Sequence, residues 1–194
     1  MQNSQRRTIL ITGAYRGIAY ATVERLVSEP TPYDIILTSR DEKSAQKAIE
    51  TLREKYPQST STLQSHQLDV NDAESVDRLV SWVQNTLGKP DILINNAGVM
   101  YSNPTEEQKK HTIQTNYTSV VRLTEKLLPS LAEDGKILNI SSLLGQLAIQ
   151  GETLRSALND PRLTEERLNE IAETVTGLVA DYKPFGPAQE AMYP

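Results

Sequence analysis

The chain has 194 residues, 38% of them hydrophobic and 23% charged, which suits a soluble globular protein with one sizeable core rather than a disordered chain. Its 20 Lys and Arg are interspersed with 25 Asp and Glu for a net charge of −5, so no broad basic face for nucleic acid exists and any anion must be held locally. There is no cysteine for a disulfide, no signal-type apolar region before the first strand and no apolar run long enough to span a membrane, so a cytoplasmic protein is expected.

The first β-forming run, Thr8–Thr12, ends in a turn bearing Gly13 and Gly17 and opens into a helical pattern from about Arg16 to Ser28. Glycines let that backbone adopt conformations closed to residues with a Cβ and approach a pyrophosphate, while the free N–H groups and positive dipole end of the helix face the anion. Glu29-Pro30-Thr31-Pro32 separates this helix from a second run, Ile35–Thr38. Asp41 reads as the N-cap of a helix with Ala45, Ala48, Ile49 and Leu52 on one face, stopping before Pro57. A third run, Leu63–Val70, leads through Asn71 or Asp72 into a helix carrying Val76, Leu79, Val80, Val83 and Leu87, ended by Gly88-Lys89-Pro90.

The fourth run, Ile92–Asn95, terminates in Asn95-Asn96-Ala97-Gly98. A long helix is predicted from about Pro104 to Leu131, and Gly135 turns the chain into the fifth run, Lys136–Ser141. Strand-forming runs alternating with amphipathic stretches predict an α/β fold, a doubly wound Rossmann-type parallel sheet of strand order 3-2-1-4-5. From Gly151 to Pro187 only helices are expected, near Glu152–Leu158 and from Thr164 with Leu168, Ile171, Ala172 and Val175 on one face, before a loop at Asp181–Pro187. This reads as a helical insertion, residues 151–187, after the fifth strand of a single domain spanning residues 1–194.

Ligands of open α/β sheets bind at the carboxyl ends of the strands, which is where the glycine turn, Asn95–Gly98 and Ser141-Ser142 fall, with Asn116 in the helix between the last two. Thr12-Gly13-Ala14-Tyr15-Arg16-Gly17-Ile18-Ala19, Leu68-Asp69-Val70, Asn95-Asn96-Ala97-Gly98, Thr115-Asn116-Tyr117, Asn139-Ile140-Ser141-Ser142 and Tyr193, in this order, resemble the short-chain dehydrogenase/reductase family. Within it, the chain is most similar to the monomeric NADPH-dependent carbonyl reductases, in which a helical insertion separates the catalytic Ser from the Tyr. The resemblance places Gly13, Arg16, Gly17 and Ile18 around the pyrophosphate and adenosine ribose. Asp69 would accept from the adenine amino group with Val70 beside it, though read alone Asp69 is an N-cap neighbour of the following helix. Asn95 and the backbone of Ala97 and Gly98 would line the ribose and brace the central strands. A monomer is implied, because the insertion covers the face that other members use to pair.

NAD-type sites usually place a carboxylate at the end of the second strand for the ribose 2′-hydroxyl, whereas a 2′-phosphate needs cations. Here that strand ends Leu37-Thr38-Ser39-Arg40; Arg40 offers a planar charged fork and Arg16 approaches from the glycine turn, so NADPH is favoured. Asp41 argues for NAD but lies one residue late and serves better as a helix cap; as surface residues, both arginines also fit plain solvated charges.

The implied chemistry is hydride transfer to the carbonyl carbon of a ketone, aldehyde or quinone, with no residue assigned to a metal. Tyr193 would be the general acid, Ser142, with Ser141 as its rival, would hydrogen-bond the substrate oxygen, and Asn116 would hold a water for reprotonation. A phenol with a pKa of about 10 needs nearby positive charge to act at neutral pH, which the family supplies with a Lys four places after the Tyr, here past Pro194. Two further departures are Ala19 in place of a third glycine and Tyr15 in place of the Asn more usual beside Arg16. The chain is therefore expected to be the front portion of a longer reductase and inactive alone; the alternative is a truncated or divergent NADP(H)-binding protein without turnover.

Overall fold

The five β-forming runs pair as one parallel sheet in the computed structural model, which describes residues 6–178. Strands β1 (Arg7–Ile11), β2 (Tyr33–Ser39), β3 (Thr62–Gln67), β4 (Ile92–Asn95) and β5 (Lys136–Asn139) lie in the order β3-β2-β1-β4-β5, the arrangement expected from the sequence. Ile11 stands opposite both Leu37 and Ile94, Ser39 opposite Gln67, and Asn95 opposite Asn139. All five carboxyl ends therefore meet one edge, and the residues just beyond them share it.

Central strands of a parallel sheet are buried on both faces and read as continuous apolar runs. Ile9, Ile11, Ile35, Leu37 and Leu63 point into one cluster, which α1 (Gly17–Ser28) and α2 (Glu42–Lys55) close with Ala19, Val23, Val27, Ala48, Ile49 and Leu52. The alternate residues Leu10, Ile36 and Leu93 point into a second cluster, closed by Val76, Leu79 and Val83 from α3 (Ala73–Trp82) and its extension and by Leu123 and Leu127 from α5 (Ser119–Leu127). Each fully buried Ile or Leu contributes on the order of 1.5–3 kcal/mol.

Among the boundaries that differ from expectation, three lie next to the residues singled out in the sequence. The third run stops at Gln67 rather than Val70: Leu68 makes a last bond to the Ser39 carbonyl (2.8 Å), after which the Asp69 carboxylate accepts from the Asn71 N–H (2.9 Å) and turns the chain. The fifth run stops at Asn139 rather than Ser141, with the Ile140 N–H still donating to the Asn95 carbonyl. The long helix predicted from Pro104 to Leu131 divides into α4 (Glu106–Ile113), a π-helical turn (Gln114–Thr118), α5 and a 3₁₀ turn (Leu128–Ser130) that contains Pro129.

The chain separates into two compact units. One holds the whole sheet with α1, α2, α3 and α5. The other is built from α4, α6 (Glu152–Leu158) and α7 (Glu165–Leu178), with α4 packed on α7 and Ile171 buried. Helices thus stand where the insertion was expected, within the described part of 151–187; the loop at Asp181–Pro187 lies outside the described residues. Among the described residues, no helix is long and apolar enough to cross a membrane.

Candidate functional site

Just past β1, Gly13 and Gly17 adopt φ of +67° and +64°. A Cβ on Gly13 would sit 3.3 Å from the Ala97 Cα, so this position needs glycine both for its dihedral and for close approach to the turn after β4. A Cβ on Gly17 would meet nothing within 4 Å, so the constraint there is conformational and the space beside it is open. Helix α1 begins at Gly17 with Arg16 extended at its N-cap, no side-chain capping bond and no acidic residue in its first turn. An uncapped helix start beside open space is a ready anion site.

The turn is laced to its neighbours. Thr12 Oγ1, nearly inaccessible to solvent, accepts from the N–H groups of Asn96 and Ala97, both at 2.9 Å, and Asn96 Nδ2 donates to the Thr12 carbonyl at 3.0 Å. On the other side the Ala14 N–H donates to the Thr38 carbonyl of β2 at 3.0 Å. The residues from β1, β2 and β4 named in the sequence are therefore brought together at one edge.

Asn95 links β4 to its neighbours: Nδ2 donates to Thr124 Oγ1 on α5 (2.9 Å) and to Asn139 Oδ1 on β5 (2.8 Å). Its Oδ1 is buried without a hydrogen-bond partner among the described residues. Asn116 lies at the middle of the π-helical turn and pairs its amide with both main-chain groups of Val99, accepting from its N–H and donating to its carbonyl at 2.8 Å each. A Cβ on Gly98 would fall 3.2 Å from Asn116 Oδ1, so a small residue there lets the loop close onto the helix. Single π turns within helices are frequent at functional sites.

After β3, Asp69 is half-buried with Oδ1 engaged by Asn71 and Oδ2 left to accept, and Val70 is buried beside it. This loop is fastened to the helical segment that carries Asn116. Asn71 Nδ2 donates to Thr115 Oγ1 (2.9 Å), Ser119 Oγ donates to Asn71 Oδ1 (2.8 Å), and Arg122 donates to the Val70 carbonyl (2.5 Å). Sequence reasoning assigned none of Asn71, Ser119 and Arg122 to the site. The signal was there in polar residues spaced by four and three on the inward face of a helix whose other inward residues, Leu123 and Leu127, are apolar.

Arg40 follows β2 and is exposed, as is Arg16, whose guanidinium lies 5.4 Å from the centroid of the Tyr15 ring. Among the described residues neither guanidinium makes a hydrogen bond or ion pair. Asp41 is committed elsewhere: it caps α2, accepting from Lys43 and Ser44 N–H groups and, at 2.7 Å, from the Ser44 hydroxyl, which holds its carboxyl below the usual carboxylate range. Ser141 and Ser142 follow β5 on the exposed side, and Tyr193 lies outside the described residues. Among the described residues no group of three His, Asp or Glu is placed to hold a metal ion. Open glycine turn, uncapped helix start, two exposed guanidiniums and a half-buried carboxylate fit a phosphorylated dinucleotide.

The short chain dehydrogenase family matches residues 7–157. The (+)-neomenthol dehydrogenase of Arabidopsis thaliana is 32% identical over 209 residues, taking in 94% of this chain and 69% of that protein. NADPH carbonyl reductase 1 of Sus scrofa is 31% identical over 172 residues, taking in 86% of this chain and 58% of its own length. The chain thus spans 58–69% of the length of these two relatives. The structure of menthone neomenthol reductase from Mentha piperita superposes with a TM-score of 0.78 at 29% identity, covering 92% of this chain and 75% of that one.

Proposed function

The chain belongs to the short-chain dehydrogenase/reductase family, and from that premise we propose that the protein reduces a small carbonyl compound, a ketone, aldehyde or quinone, with NADPH. The observation that carries the reading is the cradle at the sheet edge: glycines at positive φ, an uncapped start to α1, and two arginines with Asp41 withdrawn into a helix cap. Relatives named as an NADPH carbonyl reductase and for menthone and neomenthol support a ketone as the substrate class.

Gly13, Gly17 and Ile18 hold the pyrophosphate against the helix start, and Arg16 and Arg40 take the 2′-phosphate. Asp69 receives the adenine amino group beside Val70, while Asn95 and the backbone of Ala97 and Gly98 line the ribose. NADPH supplies the hydride when bound. Ser142 donates a hydrogen bond to the carbonyl oxygen and holds it in line, and Tyr193 gives that oxygen its proton. Asn116 keeps the Gly98–Val99 loop in place and holds a bridging water with the lone pair that Val99 leaves unused. The protein works in the cytoplasm.

Titration of the native protein with NADPH and NADH, followed by NADPH consumption with a panel of ketones, aldehydes and quinones, tests this. Tighter binding of NADPH and turnover abolished by Tyr193→Phe are expected. Equal binding of the two dinucleotides overturns the cofactor assignment; a Tyr193→Phe variant as fast as its parent overturns the mechanism; binding without turnover leaves a nucleotide-binding protein.

A further inference from the structure

The glycine turn contains one bulky side chain for which the cradle has no use. Tyr15 is half-buried and packs against the apolar cluster under β1 and β2, so its ring is fixed from below. Arg16 lies over the ring at 5.4 Å from its centroid, within cation–π range, and has no competing carboxylate among the described residues. Its backbone is fixed too, extended at φ −156° and ψ 172° immediately before Gly17 at +64°. An arginine loses much rotamer freedom on gripping a phosphate, and a ring that holds the guanidinium face removes part of that cost while leaving its N–H edges free. The bond from the Ala14 N–H to the Thr38 carbonyl sets this turn alongside the end of β2, next to Arg40.

We propose that Tyr15 is a specificity-determining residue, whose ring holds Arg16 so that its donors join Arg40 on the 2′-phosphate and favour NADPH over NADH. This rests on the NADPH reading above. Backbone groups hold the pyrophosphate common to both dinucleotides, so Tyr15 governs the choice between them rather than overall affinity.

The test is fluorescence titration of the full chain with NADPH and with NADH, for the parent and for Tyr15→Phe, Tyr15→Leu and Arg16→Ala, with a thermal melt of each. Tyr15→Phe keeps the ring face and should keep the parent's preference. Tyr15→Leu keeps apolar packing but loses the ring, and should weaken NADPH about two- to fivefold while leaving NADH unchanged; Tyr15→Met replaces it should the Leu variant not fold. In an Arg16→Ala background the same change should have no effect on the preference. If Tyr15→Leu weakens both dinucleotides alike, or leaves the preference intact while Arg16→Ala lowers it, Tyr15 only packs and the inference falls. If the parent shows no preference, or neither Arg16→Ala nor Arg40→Asp alters it, the cofactor reading falls and the inference with it.

Discussion

At Gly13 and Gly17 the same positive φ answers to different surroundings, which separates their predicted variants. An L-residue in the left-handed region costs about 1–2 kcal/mol, and at Gly13 the new methyl also presses on Ala97. Gly13→Ala should therefore destabilise the fold more than Gly17→Ala, as read by denaturant melts. Gly17→Ala, whose methyl enters the open space, should instead show its larger loss in dinucleotide titration. Arg40→Asp should weaken NADPH binding by about tenfold or more with little change for NADH, since it removes a charge-assisted contact that only the 2′-phosphate makes. Equal losses would defeat the phosphate role. Asp41 gives a pH test. Its folded carboxyl lies below its ordinary value, mainly through the Ser44 hydroxyl, so its stabilisation is complete above the unfolded value and is lost as pH falls through the folded one. Asp41→Ala should lower the Tm at neutral pH, and the gap to the parent should close on acidification; a gap independent of pH would mean that the charge on the cap is immaterial.

Among the elements, the clamp between the β3–α3 loop and the π-helical turn is the part whose energetics can be isolated. Thr115 and Ser119 are 4% and 0% exposed, so Asn71→Ala leaves buried hydroxyls short of partners and should cost about 1–3 kcal/mol. A double-mutant cycle of Asn71→Ala with Ser119→Ala should show the two losses to be non-additive; additive losses would mean that the bond between them carries nothing. The polar spacing on the helix marks one side of this clamp, but the pairing itself was hidden in the sequence because the partners are 44 to 52 residues apart. The π turn was equally hidden: Gln114–Thr118 continues the helical spacing on either side, and no residue in it breaks a helix. Strands β1, β2 and β4 were legible because burial on both faces demands unbroken apolar runs, and Gly13, Gly17 and Asp41 because backbone dihedrals and helix caps restrict residue type. The ends of β3 at Gln67 and of β5 at Asn139 were not, since they depend on local hydrogen bonds such as that from the Asn71 N–H to Asp69.

For the molecule as a whole, the sheet determines one physical hazard. Among the described residues β5 pairs with β4 alone, and Leu138 and Ile140 are 44% and 45% exposed there. An apolar strand with a free edge is a template for other chains. Light scattering of the purified chain should show concentration-dependent association, relieved by Leu138→Lys; a clean monomer at every concentration would refute this.

The second unit has a different consequence, one of timing. It is assembled from two stretches of chain with β5 between them, and α4 packs on α7, which is made much later. At about 5–20 residues per second of synthesis, α4 waits several seconds for its partner. Its sequence, Glu106-Glu107-Gln108-Lys109-Lys110-His111-Thr112-Ile113, is polar nearly all round. That composition, a poor one for driving packing, lets a newborn helix stay in water without finding the wrong neighbour before the right one has been translated.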